Sequence, residues 1–371
     1  MTAPIRVGIV GVSAERGWAA TAHIPALRAL PAYEITALST TRQTSADAAG
    51  RAFGVASTFE GHEALVHNPD VDLVVVTVKV PHHRDIVTAA LDAGKAVYCE
   101  WPLGRDLEQA RAMTDHADRR GVRTLIGLQS RRTPAILHLR NLIAHGYVGT
   151  VLSTTMVGSS ALGGFVDQGN AYTLDRGSAA NVLTIAAGHS MDAMGVVLGE
   201  FDELSAVLDT RRPDITVLET GEQRLGTSPD QLGVVGRLKS GAIASIHFRE
   251  GHEGGTGFLW EINGTEGTLQ LRADSGHPGM FALTVSGSRG REALTELPVP
   301  AAYERHTPGI GHLDAMAAGV ARIYDAYERD IRSGANNSPD FTQALPVHRL
   351  IATIEQAAVT GQRTTLIASP G

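Results

Sequence analysis

The segment that most constrains this 371-residue chain is Leu73-Val-Val-Val-Thr-Val78. It is apolar on both faces and rich in β-branched residues. A strand with one wet face would alternate, so a continuous apolar run predicts a strand covered on both sides, as in parallel sheets flanked by helices. Ile5 to Val10, Tyr33 to Leu38, Ala96 to Glu100 and Thr124 to Leu128 read as further short strands. Helical periodicity fills the gaps: Ile24 to Leu30, a stretch through Phe53, His82 to Ala93, Leu107 to Arg120, and then Thr133 to His145. Three of these helices run into glycine, at 94, 121 and 146, the residue expected just past a helix end. The alternation predicts a doubly wound parallel sheet with helices on both faces, an α/β domain over residues 1–128.

After about Gly149 the texture changes. Val151 to Val157, Phe201 to Asp209, Val234 to Leu238, Ala242 to Phe248, Leu259 to Asn263, Thr268 to Leu271 and Ala282 to Ser286 read as strands. Turn signals such as K-S-G, N-G-T-E-G and G-S-R-G separate them. Consecutive strands with short connections predict a mainly antiparallel sheet. Helices are expected at Ala180 to Leu198, His312 to Ser333 and Phe341 to Thr360, which makes residues 129–371 an α+β domain.

Composition narrows the classes that remain. With 39 acidic and 32 basic side chains the net charge is −7, which argues against a nucleic-acid footprint. One cysteine forms no internal disulfide and requires no oxidising compartment. Apolar runs stay far below the roughly 18 residues of a membrane span. Met1 leads directly into a strand-like run without a signal-peptide pattern. The expectation is a cytoplasmic protein of two domains that acts on a small molecule, without direct nucleic-acid or membrane partners.

The first strand runs into G-I-V-G-V-S-A-E-R-G-W. Glycines there let the backbone approach a pyrophosphate where free N–H groups favour anions. Gly8, Gly11 and Gly17 do not fit strict G-x-G-x-x-G, and an ordinary tight turn is the alternative. Position in the first strand of a βαβ series favours a dinucleotide. At the end of the second strand stands Ser39-Thr40-Thr41-Arg42, without the acid that an NAD site uses for the ribose hydroxyl. Hydroxyls and a guanidinium suit a 2′-phosphate, so NADP is expected with NAD possible; a polar surface loop is the bland alternative.

From these residues onward the chain resembles the glucose–fructose oxidoreductase/inositol dehydrogenase (Gfo/Idh/MocA) family over nearly its whole length. The marks are V-G-I-V-G, A-H-I-P-A-L at residues 22 to 27, N-P-D-V-D-L-V-V-V-T-V and A-G-K-A-V-Y-C-E-W-P-L. A loop ending R-G-W-A, the V-K-V-P turn, E-W, L-Q-S-R-R-T-P and A-L-P-V-H-R-L-I are similar to the branch of the yeast galactose-regulon repressor. The resemblance implies a Rossmann domain followed by a domain with a large open sheet. It places Gly11, Val12, Ser13 and Trp18 around the pyrophosphate and Ser39, Thr40 and Arg42 at the adenosine ribose. Val78, Lys79, Pro81, His83, Glu100 and Trp101 fall beside the nicotinamide half; Gln129, after the last sheet strand, joins these candidates. The family's use of the second sheet as an interface implies a homo-oligomer, a dimer or tetramer.

Two departures bear on chemistry. Active members carry E-K-P, whose lysine assists proton transfer; here Trp101 replaces it, with one neutral N–H donor. An indole can stack on a nicotinamide or sugar face, or simply pack at a domain seam. Where the family carries D-x-G-x-H, this chain reads Ile185-Ala-Ala-Gly-His189, so the carboxylate is lost and the histidine kept. His189 is a candidate general acid or base, with an ordinary pKa near working pH, or a satisfied core or surface histidine. Asp192, one turn later, is a candidate for a substrate hydroxyl, or a solvated carboxylate. Lys79 is a candidate replacement ammonium or cofactor contact. Cys99 reads as a buried structural thiol. His82-His83, His62 with His67, and the segment from His247 that includes His252 and Glu253 lack a convincing metal-ligand set.

Two functions follow. One is an oxidoreductase transferring hydride between nicotinamide and a sugar-like or other small polar carbonyl or hydroxyl compound, with a non-standard site. The other is a non-catalytic dinucleotide-binding sensor or transcriptional co-regulator. Loss of lysine and aspartate favours the sensor; an intact dinucleotide loop without an obvious partner-binding appendage favours the enzyme.

Overall fold

The computed structural model describes residues 3–160, 163–251, 254–304, 307 and 309–366. His252 and Glu253 lie outside them. The chain forms two compact units: Met1–Gln129 with His306–Leu345, and Ser130–Arg305 with Pro346–Gly371.

In the first unit six parallel strands are β1 (Ile5–Val10), β2 (Tyr33–Thr40), β3 (Ser57–Glu60), β4 (Leu73–Val76), β5 (Ala96–Cys99) and β6 (Thr124–Ile126). Their order is β3-β2-β1-β4-β5-β6, the Rossmann arrangement, in which strand order reverses between β1 and β4. All four β4 residues are fully buried, as their unbroken apolar run requires. The strand stops two residues before the expected Val78, because the Thr77 amide and hydroxyl turn back to the Val10 carbonyl at 3.0 and 2.9 Å. The edge strand β3, Ser-Thr-Phe-Glu, is partly exposed and too short to signal itself in the sequence.

The helix Ala315–Ser333 belongs to this unit, although the sequence reading assigned everything after residue 128 to the second domain. Its stripe Ala317, Val320, Ala321, Tyr324 and Tyr327 is buried, and Val320, Ala321, Tyr324 and Tyr327 share a core with Val7, Ile9, Leu27 and Tyr98. The i, i+3, i+4 spacing identifies a covered helix but not the sheet that covers it. Asp314 caps it, accepting from the Ala317 amide at 2.8 Å.

The second unit is built on nine strands. They are β7 (Val151–Ser160), β9 (Phe201–Asp209), β12 (Gln231–Leu238), β13 (Ile243–Glu250), β14 (Phe258–Gly264), β15 (Gly267–Ala273), β16 (Thr284–Arg289), β17 (Thr295–Glu296) and β18 (Thr364–Thr365). Their order is β17-β16-β15-β14-β7-β13-β12-β9-β18. Pairing is antiparallel except between β7 and β13. One face buries Leu232, Val234, Ile246, Phe248, Trp260 and Ile262, and the Trp260 indole N–H donates to the Thr154 hydroxyl at 2.8 Å. A small three-stranded sheet of β8 (Phe165–Val166), β10 (Asp214–Val217) and β11 (Gln223–Leu225) has no counterpart in the sequence reading. The helix expected from Ala180 begins as a π-turn at Leu183–Ala187 and becomes α-helical only over Gly188–Leu198. Among the described residues no helix is long and apolar enough to cross a membrane.

Candidate functional site

In the first unit the turn after β1 carries the expected features. Gly11 has φ 101° and donates its amide to the Ser39 carbonyl at 2.9 Å. A Cβ there would lie 2.8 Å from Val78 Cγ1, so the close approach of β1, β2 and the β4 turn needs glycine. The strand-to-helix turn thereby joins Gly11, Ser39 and Val78. The amides of Val12, Ser13 and Ala14 donate to no protein acceptor among the described residues. Ser13 is exposed and Val12 buried, and the next helix starts at Trp18. The buried Trp18 Nε1 and Ser39 Oγ likewise have no partner among the described residues. Successive free N–H groups at a βα turn fit a pyrophosphate, and the extra Trp18 donor fits a dinucleotide.

At the other end of the loop Thr40 is held locally: its hydroxyl donates to the Arg42 carbonyl at 2.9 Å. Arg42 is exposed. A carboxylate absent from the end of β2 stands on the neighbouring strand, where Glu60 is in register with Thr40 and accepts from the Gln43 amide at 3.1 Å.

Beyond β4, Val78 and Pro81 are half-buried and Lys79 is exposed. His83 is 1 % exposed, so it does not present its ring to a ligand. Its ring nitrogens lie 2.9 Å from the Val78 and Pro102 carbonyl oxygens, tying the β4 turn to the segment after β5. Burial pushes its pKa down. Cys99, 3.3 Å from the same ring, is fully buried, and burial raises its thiol well above the ordinary range. Trp101 is 5 % exposed, a seated indole rather than a mobile one. Glu100 is partly exposed; its Oε1 accepts from His23 at 2.8 Å, and its Oε2 lies 3.5 Å from the buried Gln129 side-chain amide, a long contact.

The second unit holds its own polar cluster. His189, on the helix Gly188–Leu198, stacks on His277 with ring centroids 4.3 Å apart and planes 2° from parallel. Both rings are 5 % exposed. Burial, reinforced by His277, takes the His189 pKa well below its ordinary value. Burial takes His277 to about 4. The expectation that His189 titrates near neutrality is therefore corrected: it sits as a neutral imidazole. The Gly279 amide donates to His277 Nδ1 at 3.3 Å, which leaves the proton on Nε2.

Asp192 is also corrected. Arg131 grips it with Nε at 2.9 and 3.0 Å and Nη2 at 2.6 Å, and the carboxylate is 1 % exposed. Burial raises its pKa against the pull of Arg131. It orients a guanidinium rather than awaiting a hydroxyl. Among the described residues no group of three His, Cys, Asp or Glu could hold a metal ion.

Sequence reasoning missed His277, His23, Tyr324 and Gly127. His23 lies inside A-H-I-P-A-L, but its partner Tyr324 is 301 residues away. His277 sits in a turn with no pattern linking it to His189.

Residues 5–128 match the family model described as oxidoreductase family, NAD-binding Rossmann fold, and residues 134–273 match the Gal80p C-terminal domain. The chain is 34% identical over 287 residues to dehydrogenase aclE of Aspergillus oryzae, covering 74% of this chain and 78% of that protein. It is 27% identical over 408 residues to the galactose/lactose metabolism regulatory protein GAL80 of Saccharomyces cerevisiae, covering 97% and 94%. The structure of a levoglucosan dehydrogenase in complex with NADH and levoglucosan superposes with a TM-score of 0.84. It covers 98% of this chain and 99% of that one at 21% identity, a likeness of fold alone.

Proposed function

The chain belongs to the Gfo/Idh/MocA oxidoreductase family, in its Gal80-like branch, and we propose that it is an NADP-preferring, NAD-accepting enzyme. Its reaction would move hydride between nicotinamide and a hydroxyl-bearing or carbonyl carbon of a neutral, sugar-like substrate. The observation that carries this reading is the β1 turn, with three successive amides that no protein group among the described residues uses. A dinucleotide bound there supplies the hydride acceptor or donor.

The side chains divide the remaining work. Val12, Ser13 and Ala14 offer amides to the pyrophosphate, and Trp18 closes the loop. Thr40 and Arg42 serve the adenosine ribose; Ser39 is fully buried and, like His83, not presented to a ligand. Arg42 favours a 2′-phosphate, and Glu60 on β3 keeps NAD acceptable. Glu100 and Gln129 serve the nicotinamide half, with Trp101 as a stacking wall and Lys79 as a further donor. His189, neutral in its buried stack, takes a hydroxyl proton when substrate is oxidised. At neutral pH it holds no extra proton, so it enters the oxidation direction as the base and returns that proton in the reverse direction. Arg131 and Asp192 cancel each other's charge, and both neighbouring imidazoles are neutral, so the cluster suits an uncharged substrate.

The test is kinetic. With NADP and a panel of polyols and sugars, His189→Ala is expected to lose roughly 100-fold or more in kcat while cofactor affinity is retained. An unchanged kcat would remove His189 from the chemistry. Arg42→Ala should weaken NADP binding roughly 10- to 100-fold more than NAD binding; equal losses would show that Arg42 does not read the phosphate.

A second reading is favoured by Trp101 and Ile185, which replace both family groups for proton transfer and substrate binding. In it the protein is a dinucleotide-binding sensor or transcriptional co-regulator without turnover. Tight cofactor binding, no turnover across the panel and no effect of His189→Ala would establish it.

A further inference from the structure

We propose that Tyr324 and His23 are positioning residues that fix the Glu100 carboxylate, and that Gly127 lacks a side chain so that this carboxylate can lie against the backbone. The proposal rests on the reading that Glu100 serves a bound dinucleotide, and none of the three residues is assigned a role by the family motifs quoted above.

Glu100 follows β5, and its amide donates to the Val76 carbonyl at 3.1 Å, so its backbone is fixed. A partly exposed carboxylate on such a backbone would ordinarily sample several rotamers. Here Oε1 accepts from His23 Nε2 at 2.8 Å. A carboxylate only accepts, so His23 carries a proton on Nε2, and in the neutral ring Nδ1 then accepts from the Tyr324 hydroxyl at 2.7 Å. His23 and Tyr324 are both fully buried. Tyr324 is itself pinned, since the Tyr33 hydroxyl donates to its carbonyl at 2.6 Å and the Tyr33 and Tyr98 rings pack at 5.2 and 5.1 Å. A buried hydrogen-bonded array of this kind rigidifies what it holds. Because it ends at a buried tyrosine rather than at solvent, it orients Glu100 and does not conduct a proton.

The second oxygen is treated differently. Oε2 faces the Gln129 amide at 3.5 Å, beyond a good hydrogen bond. A Cβ on Gly127 would fall 2.7 Å from Glu100 Cδ and closer still to Oε2. The array therefore engages Oε1, while Oε2, lying against Gly127 with the long Gln129 contact, keeps lone pairs for a ribose hydroxyl or a carboxamide N–H. With Trp101 in place of the family lysine, Glu100 is the ionisable side chain of the E-W-P segment, and its orientation matters more.

A simpler account is that Tyr324 and His23 only fasten the helix Ala315–Ser333 to the sheet. Tyr324→Phe separates the two, because it keeps the ring and removes one hydroxyl. Affinities for NADP and NAD would be measured by calorimetry on the full chain, with thermal unfolding alongside. The proposal expects Tyr324→Phe to weaken both cofactors roughly tenfold, and Glu100→Gln to weaken them at least as much. The double variant should be no worse than Glu100→Gln, because the hydroxyl acts through the carboxylate. Gly127→Ala should lose affinity as well, and Glu100→Asp should restore part of it by withdrawing the carboxyl from the new methyl group. In the unliganded protein, nitrogen NMR should show His23 Nδ1 as an acceptor in the wild type and perturbed in Tyr324→Phe.

A lowered melting temperature with unchanged affinity in Tyr324→Phe would overturn the proposal, as would an equal loss in the Glu100→Gln background. A wild-type protein that binds neither cofactor would overturn the dinucleotide reading, and this proposal with it. Normal wild-type binding with an uncoupled Tyr324→Phe would overturn this proposal alone.

Discussion

His189 and His277 stack at 4.3 Å in a buried setting that disfavours charge on either ring. This has a consequence for stability. The unfolded histidines titrate near 6.5, whereas His277 is held to about 4 in the fold and His189 is also depressed. As pH falls below 6.5 the unfolded chain takes up protons that the folded chain refuses. Stability is thus full above that value and declines toward pH 4, by up to about 1.4 kcal/mol per pH unit for each histidine. Urea midpoints should fall across this window, and His277→Gln should flatten the fall; a pH-independent midpoint would contradict the neutral pair. At the Arg131–Asp192 pair, Asp192→Asn should destabilise the chain by roughly 1–3 kcal/mol, since a half-buried guanidinium exchanges a multiply bonded carboxylate for a neutral amide. Identities such as Trp101 and Ile185 were readable in the sequence, because a motif fixes what to expect at a position. Partnerships were not: Asp192 reads as an available carboxylate until Arg131 is seen to close on it.

At the scale of elements, the first sheet was legible because strands buried on both faces leave continuous apolar runs, as β4 does. The strands β3, β8, β10 and β11 were not, since two to four partly exposed residues carry no period. The helix Ala315–Ser333 was legible as a helix, but its apolar stripe does not name the sheet beneath it. That gap hid Tyr324 and with it the seat of Glu100. In the proposed function the turn after β1 is the element on which cofactor binding depends. Gly11→Ala places a methyl group against Val78 at φ 101°. Such a residue should cost about 1–3 kcal/mol of stability and reduce dinucleotide affinity roughly tenfold or more. Calorimetric titration and thermal melting check it, and unaltered affinity would remove this turn from the binding site.

For the whole molecule, the second sheet leaves apolar side chains on the face opposite its buried one. Val207, Val235 and Ile243 are 69%, 57% and 51% exposed, on strands β9, β12 and β13 that pair side by side. We propose this face as the contact of a homo-oligomer, since apolar residues grouped on one sheet face mark an interaction surface. Sedimentation should show a dimer or tetramer that Val235→Glu dissociates; a monomeric wild-type chain would contradict it. The central claim concerns turnover, and nicotinamide absorbance tests it most directly when NADP-saturated protein is mixed with a panel of neutral polyols and cyclic sugars. The predicted result is reduction of NADP with at least one of them, diminished roughly 100-fold or more by His189→Ala. Saturable NADP binding with a flat trace across the whole panel would contradict the enzyme and leave the sensor.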